Sequence, residues 1–173
     1  MTGNLLVVGG SGFVSGTMAR RAVAAGWRVW VLTRGQRPLP EGVLPIVADR
    51  KDASAFETAI TTAMQAARIH HFDLVADCIG YDPDDALQDV AVFRERAKQL
   101  VFVSTDFVFD PAHRQFPQGE VTEQYLVDSL PDSYGGKKRL CEQLLLSSET
   151  GDMAWTVVRP CHIYGPGSLL GCL

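Results

Sequence analysis

The sequence predicts an α/β protein: a doubly wound parallel sheet of six or so strands with helices on its faces. Three observations predict it. Short apolar runs alternate with stretches of helical spacing along the whole 173 residues, the pattern of a parallel sheet whose crossovers are helices. Right-handed crossovers then wind the sheet outward in both directions. A glycine-rich stretch, "GGSGFVSG" at 9–16, separates the first strand from the first helix, where a sharp turn and a close approach of backbone are needed.

Taken in order, residues 4–8 read as a buried strand because the run is short and apolar. Residues 12–25 have helical spacing, with Phe13, Met18, Ala22 and Ala25 as candidates for the inner face, and Gly26 ends the helix. Strands follow at 27–33 and 44–48, then a helix through "DASAFETAITTAMQAA" and a strand at 73–78. The helix "DPDDALQDVAVFRERA" has Asp82 or a neighbour near its cap and Pro83 suited to its first turn. Residues 99–104 form a fifth strand, "DSYGGKKRLCEQLLLSS" a long helix, and 154–159 a sixth strand. Residues 106–132 interrupt this rhythm with a 27-residue loop holding Pro111, Pro117 and Pro131. So long a loop in a compact domain is more often functional than not. The length suits one domain over 1–173 and is short for two.

Hydrophobic residues make up 46% of the chain and charged residues 21%, an ordinary globular composition. The net charge of −4 argues against general nucleic-acid binding, and no apolar run is long enough to span a membrane. Cys78, Cys141, Cys161 and Cys172 show no CxxC spacing, and no signal peptide is visible. Free thiols in a reducing cytoplasm are expected. His70 and His71 lack a nearby ligand partner and read as surface residues, so no metal site is expected. Charge is unevenly spread. The first 40 residues hold Arg20, Arg21, Arg28, Arg34 and Arg37 and no acid, whereas the rest holds 11 basic and 20 acidic residues. Arg20 and Arg21 read as a solvated helix face; the others suggest a local anionic ligand.

The glycine-rich turn suits such a ligand. A turn of this kind aims backbone N–H groups and a helix N-terminus at an anion, most often a dinucleotide pyrophosphate. Gly9, Gly10 and Gly12 serve the turn and the approach of the phosphates, with Ser11, Phe13 and Val14 beside them; the third glycine role falls on Ser15, with Gly16 just beyond. Serine is small, so a slightly displaced helix is expected rather than a lost site. The acid that would bond the ribose of NAD about 20 residues on is missing; the second strand ends in Thr33-Arg34. Arginine there can pair with a 2′-phosphate, which favours NADP over NAD. Arg34 also reads as an ordinary loop arginine. Tyr134 and Lys138, four residues apart on a helix, share a face. A nearby ammonium would lower the tyrosine pKa and fit the pair for proton transfer at a carbinol oxygen.

With "GGSGFVSG", "VADRKD", "VFVSTDFVFD", "YGGKK" and "VVRPCHIYGPG" in this order, the chain resembles the extended or atypical short-chain dehydrogenase/reductases, the NAD(P)-dependent epimerase/dehydratase superfamily with its Rossmann fold. The resemblance implies that Thr105 hydrogen-bonds the reacting oxygen, that Tyr134 is the acid–base group, and that Lys138 holds the nicotinamide ribose and tunes Tyr134. It implies that Asp49 bonds the adenine, that Cys78, Ile79 and Gly80 line its pocket, and that the segment after Arg159-Pro160 meets the nicotinamide amide. The implied substrate is a small molecule with a carbonyl or carbinol, such as a nucleotide sugar; a homodimer is one assembly the chain could form. Thr105-Asp106-Phe107 lacks the glutamate of the sugar-nucleotide dehydratases, which argues against elimination of water. "STDFVFD" is similar to the dTDP-4-dehydrorhamnose reductase type. Relatives continue past the last motif into a substrate-binding segment that this chain is expected to lack. A second reading stands beside the enzyme: a non-catalytic NADP-binding module, a sensor or scaffold. An ordinary surface pair at Tyr134 and Lys138 is a third, and it leaves the loop and the glycine turn unexplained.

Overall fold

The computed structural model describes residues 3–120 and 130–166. Strands β1 (Asn4–Val8), β2 (Arg28–Thr33), β3 (Leu44–Val47), β4 (Leu74–Asp77), β5 (Gln99–Val103) and β6 (Ala154–Val158) form one sheet in the order β3-β2-β1-β4-β5-β6. Every pairing is parallel. The chain runs outward from β1 through β2 to β3, returns to β4 on the other side of β1, and continues to β6. The reversal lies between β1 and β4, and a crevice at the carboxyl ends of strands on such a reversal is where open α/β sheets take ligands.

Helices α1 (Phe13–Ala24), α2 (Ala53–Ala67), α3 (Pro83–Phe93) and α4 (Tyr134–Ser147) cover the sheet unequally. Leu6, Val8, Trp30, Leu32 and Phe102 point to the face packed by Phe56 and Ile60 of α2, Phe93 of α3 and Leu145 of α4. Leu5, Val7, Val29, Val31 and Ala76 point the other way, against Ala19 of α1. This follows from strand alternation and crossover hand. The excursion to β2 places α1 on one face, and the return to β4 and beyond places the later helices on the other.

The expected elements form with small shifts at their ends. Helix α1 turns inward only part of the face expected. Ser15, Gly16 and Ala19 are buried, Met18 and Ala22 pack at the margin, Phe13 is half-buried, and Ala25 is an exposed cap. The helix lies so close to the sheet that small residues, not the large ones, occupy the contact. Helix α3 stops at Phe93, four residues early. Asp82 caps it by accepting from the Asp85 N–H at 3.2 Å, and Asp52 caps α2 from Ala55 at 3.0 Å. The long loop is not structureless where it is described. Short 3-10 turns occupy Asp106–Val108 and Pro111–His113, while residues 121–129 and Cys172 lie outside the described residues. His70 and His71 are exposed. Among the described residues no helix is long and apolar enough to cross a membrane, and no cluster of three or more His, Cys, Asp or Glu could hold a metal ion.

Candidate active site

The glycine turn follows directly from β1. Gly9 has φ +94, a conformation open to glycine, and a Cβ there would overlap the Ile79 side chain. A Cβ on Gly10 would overlap Val31 of β2. These two glycines therefore let the turn lie against both neighbouring strands. Gly12 differs: it is exposed, and a Cβ there would meet only Ser15 Oγ at 3.2 Å. The space it leaves open is on the ligand side.

Ser15 proves to be more than a tolerated substitute. Its buried hydroxyl donates to the Gly9 carbonyl at 2.6 Å and accepts the Gly12 N–H at 3.1 Å. One side chain thus ties the first and last glycines of the turn together. The adjacent Gly16 lies against the Gly10 carbonyl, and a Cβ there would sit at 3.4 Å, an ordinary contact. The N–H groups of Phe13, Val14 and Ser15 in the first helical turn have no intrahelical acceptor, as at any helix start, and are suited to an anion.

A cleft of about 420 Å³ opens from this turn across the ends of β1 to β4. Gly9, Ser11, Gly12, Arg34, Asp49 and Ile79, all expected at the site, line it. Arg37, from the basic N-terminal stretch, lines it too, as do Arg50, Lys51 and Tyr81, which were not expected. Arg34 and Arg37 are exposed at its edge, and Thr33 holds their loop by accepting the Gly35 N–H at 3.1 Å. The surplus of arginine in the first 40 residues was the signal for Arg37. Lys51 Nζ pairs with Asp82 at 2.9 Å and Asp85 at 2.8 Å, which raises its pKa, the hydrogen bond to Asp85 contributing most.

Below the cleft lies a buried ionic cluster that periodicity alone does not reveal. The Arg50 guanidinium meets Asp77 at 2.8 Å, Asp85 at 3.1 Å and Asp89 at 3.0 Å. Asp89 is fully enclosed, and its second oxygen has no donor partner. Burial, then the charge of Asp77, pushes its pKa well above the usual carboxylate range. Cys78, after β4, is half-buried, and burial pushes its thiol up to about 12.

The remaining expected residues gather at the ends of β5 and β6 and the start of α4. Thr105 is buried, and its hydroxyl accepts the Phe107 N–H at 3.3 Å. Tyr134 is the first residue of α4, half-exposed, with its ring edge-on to Phe107 at 6.4 Å. Burial raises its pKa, the Thr105 hydroxyl opposes this, and the Asp106 charge adds to it. Arg114 pairs with Asp106. The Pro160 carbonyl accepts the Asp106 N–H at 3.1 Å, which joins the end of β6 to this group. Glu142, buried one turn beyond Lys138, ties the group from below. It accepts from Ser104 Oγ at 2.6 Å and from Arg159 at 2.8 and 2.9 Å.

Lys138 shares a helical face with Tyr134 but not its depth. The lysine is 1% exposed and the tyrosine 51%. The ammonium donates to the carbonyls of Gly80 and Val103, not to the phenol. Burial lowers its pKa, opposed first by the charge of Asp77. In this arrangement the phenol keeps its proton at neutral pH instead of being drawn toward phenolate, and the expected tuning of Tyr134 by Lys138 is not made. The sequence spacing places the two residues on one face; the helix start places one at the rim and the other inside.

The model of the NAD dependent epimerase/dehydratase family matches residues 5–170. A chloroplast stem-loop binding protein of 41 kDa from Arabidopsis thaliana is 22% identical over 94% of this chain and 42% of its own length. Among solved structures, UDP-glucose 4-epimerase from Thermus thermophilus, in complex with NAD, superposes with a TM-score of 0.66 at 20% identity, covering 90% of this chain and 54% of that one. Vestitone reductase from alfalfa gives 0.66 at 18% identity, covering 91% and 56%. The chain thus spans about half the length of these relatives, and the likeness to the solved structures is one of fold.

Proposed function

Because the chain belongs to the NAD dependent epimerase/dehydratase family, we propose that it is the dinucleotide-binding core of an NADP(H)-using oxidoreductase or epimerase. The substrate class is a carbonyl or carbinol compound, with a nucleotide sugar first among candidates. The observation that carries the reading is the cleft itself. A glycine turn with open space at Gly12 stands at one side, and Arg34 and Arg37 stand at the edge where a 2′-phosphate would lie. NAD is the weaker candidate, since no acid in the first 40 residues is available for the ribose hydroxyls.

The residues fit the group. The backbone from Gly9 to Val14 would hold the pyrophosphate, Arg34 with Arg37 the 2′-phosphate, Asp49 and Ile79 the adenine side, and Lys138 and Pro160 the nicotinamide side. When bound, the nicotinamide supplies or takes up hydride at the substrate carbon. Thr105 would orient the substrate oxygen. Tyr134, protonated at neutral pH, is in the state needed to donate its proton to a carbonyl oxygen under reduction. Asp106 is paired with Arg114 and so is poorly placed as a second acid. This agrees with a reduction or epimerisation and not with loss of water.

The test is binding, then turnover. Calorimetry should show NADPH binding, and a panel of sugar-nucleotide ketones should oxidise it. Tyr134→Phe should keep NADPH affinity near the parent value and lower turnover by at least about 10²-fold, the range of general acid catalysis. Turnover unchanged in that variant removes the catalytic reading. A second reading, the non-catalytic NADP-binding module, draws on two observations. Lys138 is engaged by carbonyls and not by Tyr134, and one relative is named for binding rather than catalysis. It predicts tight NADPH binding and no oxidation with any member of the panel.

A further inference from the structure

Arg50 is the one residue of "VADRKD" buried in the fold, and nothing in the dinucleotide reading uses it. It lines the cleft, yet only 5% of its surface is exposed, because its guanidinium is taken up by Asp77, Asp85 and Asp89. It belongs to the β3–α2 loop, next to Asp49 on the adenosine side. Yet its shortest bond, from Nη1 to Asp77 Oδ2 at 2.8 Å, runs to the end of β4.

Asp77 is the centre of the arrangement. Its Oδ1 accepts the Ile79 N–H at 2.8 Å. The turn that follows closes so tightly over Oδ2 that a Cβ on Gly80 would overlap it. The Gly80 carbonyl, on the same turn, accepts from Lys138 Nζ. Asp77 therefore faces two buried cations. It is bonded to Arg50, and it attracts Lys138 while the bonds of that ammonium go to Gly80 and Val103. Without the guanidinium, the Asp77 carboxylate would lose its ion-pair partner and keep the Ile79 N–H, near a long, rotatable lysine. The charge of Asp77 already acts on this ammonium, and once released from Arg50 it would draw the flexible side chain away from the Gly80 carbonyl.

We propose that Arg50 is a positioning residue for Lys138: by holding the Asp77 carboxylate it keeps the ammonium at the Gly80 carbonyl, and it thereby couples the adenosine-side loop to the group of Thr105, Tyr134 and Lys138 on the nicotinamide side. The proposal rests on the dinucleotide reading above. It assigns Arg50 a role distinct from support of the adenosine loop, because a support would affect any ligand of that loop equally.

The experiment titrates the full chain with NADPH and with 2′,5′-ADP, which carries the adenosine half alone. Arg50→Met should weaken NADPH by about tenfold more than it weakens 2′,5′-ADP, a coupling within the range found for residues of one network. In a Lys138→Met background the excess should vanish. Arg50→Lys keeps a cation but loses the planar fork; it should show a smaller excess of about threefold, and it carries the comparison if Arg50→Met fails to melt cooperatively. Equal losses for the two ligands, or an excess that persists without Lys138, would overturn the proposal and leave Arg50 as a support of the loop. A parent that binds neither ligand overturns it together with the dinucleotide reading. Equal losses in a parent that binds both overturn it alone.

Discussion

Ser15→Ala probes the one substitution in the glycine turn, and its effect follows from two bonds. The hydroxyl donates to the Gly9 carbonyl at 2.6 Å and accepts the Gly12 N–H at 3.1 Å. A net hydrogen bond is worth about 0.5–1.5 kcal/mol, so the pair is worth about 1–3 kcal/mol. The two losses are unequal. The Gly9 carbonyl keeps the Ser11 N–H at 2.8 Å, whereas the Gly12 N–H keeps only a long 3.5 Å contact with that carbonyl. The lower half of the range, about 1–2 kcal/mol, is therefore expected. Alanine recovers about 0.5 kcal/mol as the better helix former, which leaves about 1 kcal/mol. For a domain of this size that is a fall of about 2–4 °C in Tm. Ser15→Gly loses the same bonds and adds about 0.5 kcal/mol of backbone freedom, so it should melt below Ser15→Ala. NADPH affinity should stay within a few-fold in both, because the ligand meets backbone donors and not the hydroxyl. Circular dichroism melts and calorimetry read the two quantities separately. A Ser15→Ala protein as stable as the parent would refute the bracing role. A large loss of affinity at unchanged Tm would mean that Ser15 touches the ligand.

Gly12 and Gly10 should separate binding from stability. Gly12→Val adds bulk on the exposed side of the turn, where its Cβ meets only Ser15 Oγ, and should abolish NADPH binding with a smaller fall in Tm than Gly10→Ala, which drives a Cβ into Val31 and should lower Tm by the equivalent of about 1–3 kcal/mol; the reverse ranking would mean that the ligand side is misassigned. Arg34→Ala should weaken NADP(H) and barely alter NAD(H), and equal or better affinity of the parent for NAD(H) in calorimetry would remove the 2′-phosphate assignment. Asp89→Asn tests the buried proton. The pKa of Asp89 is raised in the fold, so its contribution is complete below the unfolded value near about 3.9 and is lost as pH rises through the folded value. The amide mimics the protonated acid, so the Tm of the variant relative to the parent should climb as pH rises from about 5 to 9; a constant difference would mean that Asp89 is ionised throughout.

The strands and their order of appearance were legible because each is a local apolar run, and the turn because glycine marks places where backbone must come close. Gly9 and Gly10 bear this out at Ile79 and Val31. The inner face of α1 is legible only at Met18 and Ala22, for a related reason. Hydrophobicity points to Phe13 and Ala25 as well, but the closeness of helix and sheet selects Ser15, Gly16 and Ala19 as the buried contact, and that distance is not a local property. Arg34, Asp49 and Ile79 converge on one cleft as expected, since the fold class alone brings these strand ends together. The hydroxyl of Ser15 could not be read as a brace without the carbonyl it reaches.

Tyr134 and Lys138 mark the division most sharply. Spacing by itself determined that they share a face of α4, because helical geometry repeats every turn whatever surrounds it. Which of them meets solvent and which meets the Gly80 and Val103 carbonyls was decided by how α4 lies across the ends of β4 and β5. The same holds for Arg50, one charged residue among several in "VADRKD". Its partners Asp77, Asp85 and Asp89 lie 27 to 39 positions away. Charges so separated in sequence have no local pattern to betray them; only the packing of α3 against the end of β4 removes them from water together and makes each the condition for the others' burial.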